Sequence, residues 1–234
     1  MLEKLKAEVC KANLDLVRKG LVIQTWGNAS GIDRKRGLVV IKPSGVSYGS
    51  LKPKHMVVVS LRDGKVMEGN LKPSSDTPTH LILFRTFEEI GGIVHTHSLF
   101  ATAWAQARKG IPSYGTTQAD YWFGDVPCTR LLKPQEIKKD YEANTGKVIV
   151  KTFRKKDPLQ NPAVLVASHG PFTWGRDIGE AVHNAVVLEF VARLASETLQ
   201  INPKTKLLQP ALVHKHFLRK CGPNAYYGQK SARL

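Results

Sequence analysis

Gly91-Gly92-Ile93-Val94-His95-Thr96-His97 is the stretch on which the reading of the fold turns. A glycine pair opens a run of β-formers, so the segment reads as a strand. Side chains on a strand repeat every two residues on one face, which sends the imidazoles of His95 and His97 the same way. Ser98 follows at once as a helix N-cap, with the helix running to Ala107. Two imidazoles on one face at a strand-to-helix junction are well placed to share a metal ion. The plainer alternative is a solvent-facing pair.

A second strand bears on that choice. Ala163-Val164-Leu165-Val166-Ala167 reads as buried strand, and His169-Gly170 stands just past its end. Three neutral histidines that leave an open coordination position describe a catalytic rather than a structural zinc site. Asp76, in Ser74-Ser75-Asp76-Thr77-Pro78, is either the N-cap of the next helix or a carboxylate beside the metal. Ser74 and Ser75, at a helix N-terminus, suit a phosphate. Lys42-Pro43-Ser44-Gly45 follows a strand and offers a cation, a hydroxyl and a flexible amide.

The remaining elements place these residues. Leu2, Leu5, Val9, Ala12 and Leu16 trace an amphipathic helix over 2–19. Residues 38–41 and 56–59 read as short buried strands, and Thr77-Pro78 opens a helix to about Phe87. Residues 134–152 read less clearly, with helix expected around Gly146. A long helix is expected at about 178–199, with one more in the tail. Strands and helices are interspersed without a strict βαβ rhythm. The expectation is therefore one α/β domain over 1–234, an α/β/α sandwich around a mixed, mainly antiparallel sheet.

Composition narrows the class without choosing a function. Hydrophobic residues make up 42% and charged residues 23%, as in ordinary globular domains. The early acidic charge of the N-terminus and the lack of an 18-residue apolar run argue against a signal peptide and a membrane span. Cys10, Cys128 and Cys221 are odd in number and far apart, which suits a reducing cytoplasm. The net charge of +16 would attract nucleic acid or steer a phosphorylated small molecule, and its plainer reading is a solvated basic surface. Its basic clusters lack the interleaved aromatics of a single-strand binding platform.

Taken together, the motifs resemble the L-ribulose-5-phosphate 4-epimerases of the class II aldolase superfamily. The resemblance is carried by Trp26-Gly27-Asn28-Ala29-Ser30, Ile41-Lys42-Pro43-Ser44-Gly45, Lys72-Pro73-Ser74-Ser75-Asp76-Thr77, the Gly91–His97 stretch, Ser168-His169-Gly170-Pro171-Phe172 and Ala225-Tyr226-Tyr227-Gly228-Gln229. It implies zinc, replaceable by Mn2+ or Co2+, on His95, His97 and His169, with Asp76 at or near it. It implies a phosphate pocket of Asn28, Lys42, Ser44, Gly45, Ser74 and Ser75. Asp120 matches a catalytic acid/base, and Tyr227 a second one contributed from a neighbouring subunit of a homotetramer. The tail from about 211 would pack at that interface. Glu142 and His216 match supporting positions. Gln118 and Cys221 stand where members commonly carry His.

The chemistry implied has its own logic. In a 2-ketopentose 5-phosphate the C4 hydrogen is not acidic, so deprotonation cannot invert that centre. Breaking the C3–C4 bond can, since it leaves an enediolate that a Lewis-acidic metal stabilises. Rotation of the glycolaldehyde phosphate and re-addition then give the epimer. Two rivals share the fold. A class II aldolase acting on a ketose 1-phosphate such as L-fuculose 1-phosphate would stop after cleavage. A non-enzymatic adducin-like domain would lack the histidines.

Overall fold

The structure is a computed structural model that describes residues 2–222 and 225–227. Gly228 and Gln229, the end of the terminal motif, lie outside the described residues, as do the extreme ends of the expected domain.

The chain runs α1 (Glu3–Arg18), β1 (Gly27–Asp33), β2 (Leu38–Ile41), β3 (Val57–Ser60), β4 (Val66–Glu68), α2 (Thr77–Thr86), β5 (Gly92–Thr96), α3 (Leu99–Gln106), α4 (Thr116–Ala119), α5 (Pro134–Lys138), α6 (Tyr141–Thr152), β6 (Ala163–Leu165), β7 (Pro171–Gly175), α7 (Ile178–Ile201) and α8 (Pro210–Cys221). The strands form one sheet in the order β4-β3-β2-β1-β5-β7-β6. Every strand pair in it is antiparallel. The parallel element is a single bridge, Cys128 to Leu165. The sheet is thus less mixed than its sequence suggests.

Strand alternation sorts the core into layers. Val40, Val58 and Val94 join Val9 and Leu16 of α1 and Ala181, Val182 and Ala185 of α7 on one face. Val39, Val57, Val59 and Ile93 join Leu83 and Phe84 of α2 and Ile149 of α6 on the other. Helix α3 packs beside α7, where Ala101, Ala105, Leu188 and Ala192 are buried together. The result is the expected three-layer sandwich. Each large apolar side chain fully buried this way contributes roughly 1.5–3 kcal/mol before entropy is counted.

Strand β1 lies at the centre although Gly-Asn-Ala-Ser-Gly-Ile-Asp has no apolar rhythm. Its burial comes from fit. A Cβ on Gly31 would meet Leu5 and Val9 at 2.9 and 3.1 Å, so glycine lets α1 lie close. The buried Asn13 side chain then bonds the strand directly, donating to the Ala29 carbonyl at 3.1 Å and accepting from the Ala29 N–H at 2.9 Å.

The glycine pair before the histidines works in the same way. Any Cβ on Gly92 would run into the backbone of Asp177 and Ile178, at the start of α7. Strand β5 reaches its place in the sheet because those positions are empty. Its far end then delivers His95 and His97 to the rim where the central strands end.

Candidate active site

Metal-ligating atoms of His95, His97 and His169 all lie within 4.8 Å of one another. His95 is buried inside β5, His97 is exposed just past the strand's end, and His169 is half-buried in the turn between β6 and β7. Their ring centroids are 4.7 to 5.1 Å apart. His95 stacks on Phe172 at 4.3 Å and bonds the Pro171 carbonyl through Nδ1 at 2.9 Å. A carbonyl can only accept, so Nδ1 carries a proton and Nε2 is the nitrogen left for a metal. His169 Nδ1 lies 3.4 Å from the Tyr141 hydroxyl. Burial pushes His169 down to about 3, and lowers His97 as well, so both rings are neutral near neutral pH. Three converging imidazoles fit a borderline divalent ion such as zinc, Mn2+ or Co2+.

Asp76 shares the cleft but stands outside the tight group of three. Its side chain makes no helix-capping bond. Instead Oδ2 accepts from Asn28 Nδ2 at 2.7 Å. Burial opposes its ionisation, but the His95 and His80 imidazoles and the Asn28 amide outweigh that and hold the carboxyl below its ordinary range. Asn28 also donates to Ser74 Oγ at 3.1 Å, while its own Oδ1 is buried without a protein partner.

The cleft, of about 390 Å³, is walled on its other sides by Lys42, Ser44, Gly45, Ser74, Ser75 and Glu142. All the residues expected in a phosphate pocket therefore line one cavity with the three histidines. The amides differ from the expectation. The Ser74 N–H donates to the Lys42 carbonyl at 3.0 Å and the Ser44 N–H to the Lys72 carbonyl at 2.9 Å. These bonds splice the two segments together, so those two amides are not available to an anion. Helix α2 starts only at Thr77, past both serines. Lys42 is buried, its Nζ 4.8 Å from the Tyr48 ring, and burial lowers its pKa.

Asp120 and Tyr227 are elsewhere. Asp120 caps the end of α4 and lines a separate cleft of about 940 Å³ with Phe123, His183, Phe217 and Cys221. His216 Nδ1 donates to its Oδ1 at 3.0 Å. Arg219 lies 4.4 Å from the Tyr227 ring while also bonding Asp120. So α8 gathers both expected acid/base residues and His216 into one cluster, away from the histidines of its own chain. Gln118 is buried and donates to the Ile111 and Gly124 carbonyls at 3.2 and 3.1 Å, bracing the Asp120 loop. Cys221 Sγ is 4.0 Å from the Asp120 carbonyl. Two neighbours escaped the sequence reading: Tyr141, whose only hint is its place beside Glu142, and Arg219, which lies at one helical turn from His216.

The family described as Class II Aldolase and Adducin N-terminal domain matches residues 7–196. The chain belongs to this family. Among curated relatives, the L-ribulose-5-phosphate 4-epimerase UlaF of Salmonella paratyphi B is 58% identical over 98% of this chain and 100% of its own length. The protein of that name from Salmonella typhi matches equally well. Among solved structures, an L-fuculose 1-phosphate aldolase superposes with a TM-score of 0.78 at 26% identity, covering 91% of this chain and 94% of its own. Another L-fuculose-1-phosphate aldolase, from Thermus thermophilus, shows the same fold at 23% identity and a TM-score of 0.68, covering 87% of this chain and 100% of its own. Among the described residues, no helix of this class II aldolase family member is long and apolar enough to cross a membrane.

Proposed function

We propose that the chain is a metal-dependent epimerase interconverting L-ribulose 5-phosphate and D-xylulose 5-phosphate. The observation that carries this reading is one cleft holding three converging imidazoles beside Lys42 and the serines, in a chain 58% identical to epimerases of that name. His95, His97 and His169 would hold a divalent ion, zinc in our reading, which would supply Lewis-acid stabilisation of the negative charge left when C3–C4 breaks. Lys42 and the hydroxyls of Ser44, Ser74 and Ser75, with Asn28 and Gly45, hold the phosphate. The cleaved aldehyde then stays in place to re-add as an intramolecular partner. Asn28 keeps Asp76 aligned beside the imidazoles, and Glu142 closes the wall.

Proton transfer falls to Asp120 and Tyr227. Both stand on one cluster, so we assign them together to the cleft of a neighbouring copy in a homotetramer, with His216 and Arg219 orienting Asp120. Asp120 is ionised at neutral pH and takes a proton from the hydroxyl at C4; Tyr227 serves the opposite face. The free cysteines Cys10, Cys128 and Cys221 accord with a cytoplasmic enzyme.

Purified protein supplied with zinc and L-ribulose 5-phosphate should form D-xylulose 5-phosphate, and a chelator should stop it. Glycolaldehyde phosphate accumulating without epimer would favour an aldolase. Absence of both products would sink the reading for this substrate.

A further inference from the structure

The two turns that carry His97 and His169 are tied to the ends of one helix. His97 lies just before α3, separated from it by Ser98. At the other end of α3, the Ala105 carbonyl accepts the Ser168 N–H at 2.8 Å, and Ser168 immediately precedes His169. Ser168 sits at a φ of +63°, a left-handed conformation that a serine holds only when its surroundings impose it. Gly170 closes the turn from the other side: a Cβ there would lie 2.8 Å from the Thr96 carbonyl and 3.7 Å from Thr102 of α3. Helix α3 is thus a strut between two of the three imidazoles, and its placement sets the distance between them.

A residue outside the cleft fixes that strut. The first amides of a helix need acceptors, and Ser98 does not provide one, since its side chain makes no capping bond. Its hydroxyl instead accepts from Thr96 at 3.3 Å. Glu189, in the middle of α7, takes over: Oε1 accepts from the Phe100 N–H at 2.8 Å and Oε2 from the Ala101 N–H at 2.9 Å. A carboxylate across two amides at a helix N-terminus forms charge-assisted bonds that take up two of the unpaired donors there. Farther along, Trp104 donates from Nε1 to the Ala192 carbonyl and to Ser196 Oγ, both at 3.0 Å, which seats the rest of α3 on α7.

We infer that Glu189 is a positioning residue for the metal centre. It acts through α3 to hold His97 and His169 at ligating distance, and touches neither metal nor substrate. The inference rests on the reading of the three histidines as a metal site. Groups that bond a metal ligand directly typically govern metal affinity by about 10–100-fold, and Glu189, one step farther out, belongs at the lower end of that range.

Zinc affinity, measured by competition with a chromophoric chelator, tests it. Glu189→Ala should weaken zinc binding about tenfold or more, and Glu189→Gln, which keeps one acceptor of two, should fall between that variant and the wild type. Glu197→Ala, which removes a surface partner of Arg193 on the same helix, should bind zinc as the wild type does. A purely structural role would lower the melting temperature of the metal-free protein and leave zinc affinity within about twofold. That outcome in Glu189→Ala, with a wild-type circular dichroism spectrum, would overturn the inference. If Glu189→Ala fails to fold, the glutamine variant decides alone. A wild-type chain that takes up no zinc would overturn the metal reading itself, and this one with it.

Discussion

Arg219 grips Asp120 with both arms of its guanidinium, Nη2 to Oδ2 at 2.9 Å and Nε to Oδ1 at 3.1 Å. Burial alone would raise the Asp120 carboxyl, but the bonds from Arg219 and His216, and their charge, hold it below the ordinary range. The carboxylate is therefore ready to accept a proton well into the acid region. Removing the guanidinium should let burial win, moving the carboxyl up. In Arg219→Gln the acid limb of kcat/KM should accordingly shift to higher pH, with kcat falling roughly tenfold through lost alignment. The loss should be larger near pH 5 than near pH 8, because only the acidic side depletes the ionised form. An unchanged acid limb in a pH profile would separate Asp120 from catalysis.

Among the described residues Lys42 is the one cation walling the histidine cleft, and it is buried with no carboxylate bonded to it. A buried ammonium without a counter-ion is costly, and an arriving phosphate would relieve that cost. Lys42→Met should raise KM by roughly 10–100-fold, the worth of a charge-assisted hydrogen bond, with a smaller change in kcat. Steady-state kinetics check this, and inorganic phosphate should lose its competitive inhibition in the variant. A change confined to kcat would place the phosphate elsewhere.

Gly92 tests the fold beneath the site. An alanine there would meet the backbone of Asp177 and Ile178, which no side-chain rotation can relieve. Overpacking of this kind costs about 1–3 kcal/mol or more. For a chain of this size that is a fall of roughly 5 °C in melting temperature. Because β5 would shift with its histidines, zinc content after dialysis should fall too. Calorimetry showing wild-type stability would mean that β5 and α7 part without cost.

What was legible beforehand follows the physics of each signal. His95, His97 and His169 could be read because strand register and strand ends are local properties of the sequence. Strand β1 could not, since its burial depends on Asn13 and on glycine allowing α1 close, neither of which leaves an apolar pattern. Helix α6 was ambiguous because Gly146 is a poor helix former. It is tolerated where a Cβ would lie 3.0 Å from Ile82, so that α2 and α6 can touch. The grouping of Asp120 with Arg219 and His216 joins segments about a hundred residues apart; the family resemblance supplied Asp120 and His216 one by one, and nothing local in the sequence pointed to Arg219.

The separation of the two clusters makes the last prediction. If each working site takes its metal ligands from one chain and its acid/base residues from the next, two dead variants should repair one another. His97→Asn should lose metal binding, and Tyr227→Phe should lose roughly 10²–10⁴-fold in activity through proton transfer. Co-expressed in equal amounts and purified together, they should form rings in which some interfaces combine an intact metal site with an intact tyrosine. Random assembly makes that about a quarter of all sites, so activity should recover to about a quarter of the wild-type value. Mixing the separately assembled variants should give no recovery until subunits exchange. If co-expressed pairs stay inactive while sedimentation shows mixed assemblies, each chain must complete its own site. The cluster on α8 would then have to swing onto the histidine cleft of its own chain.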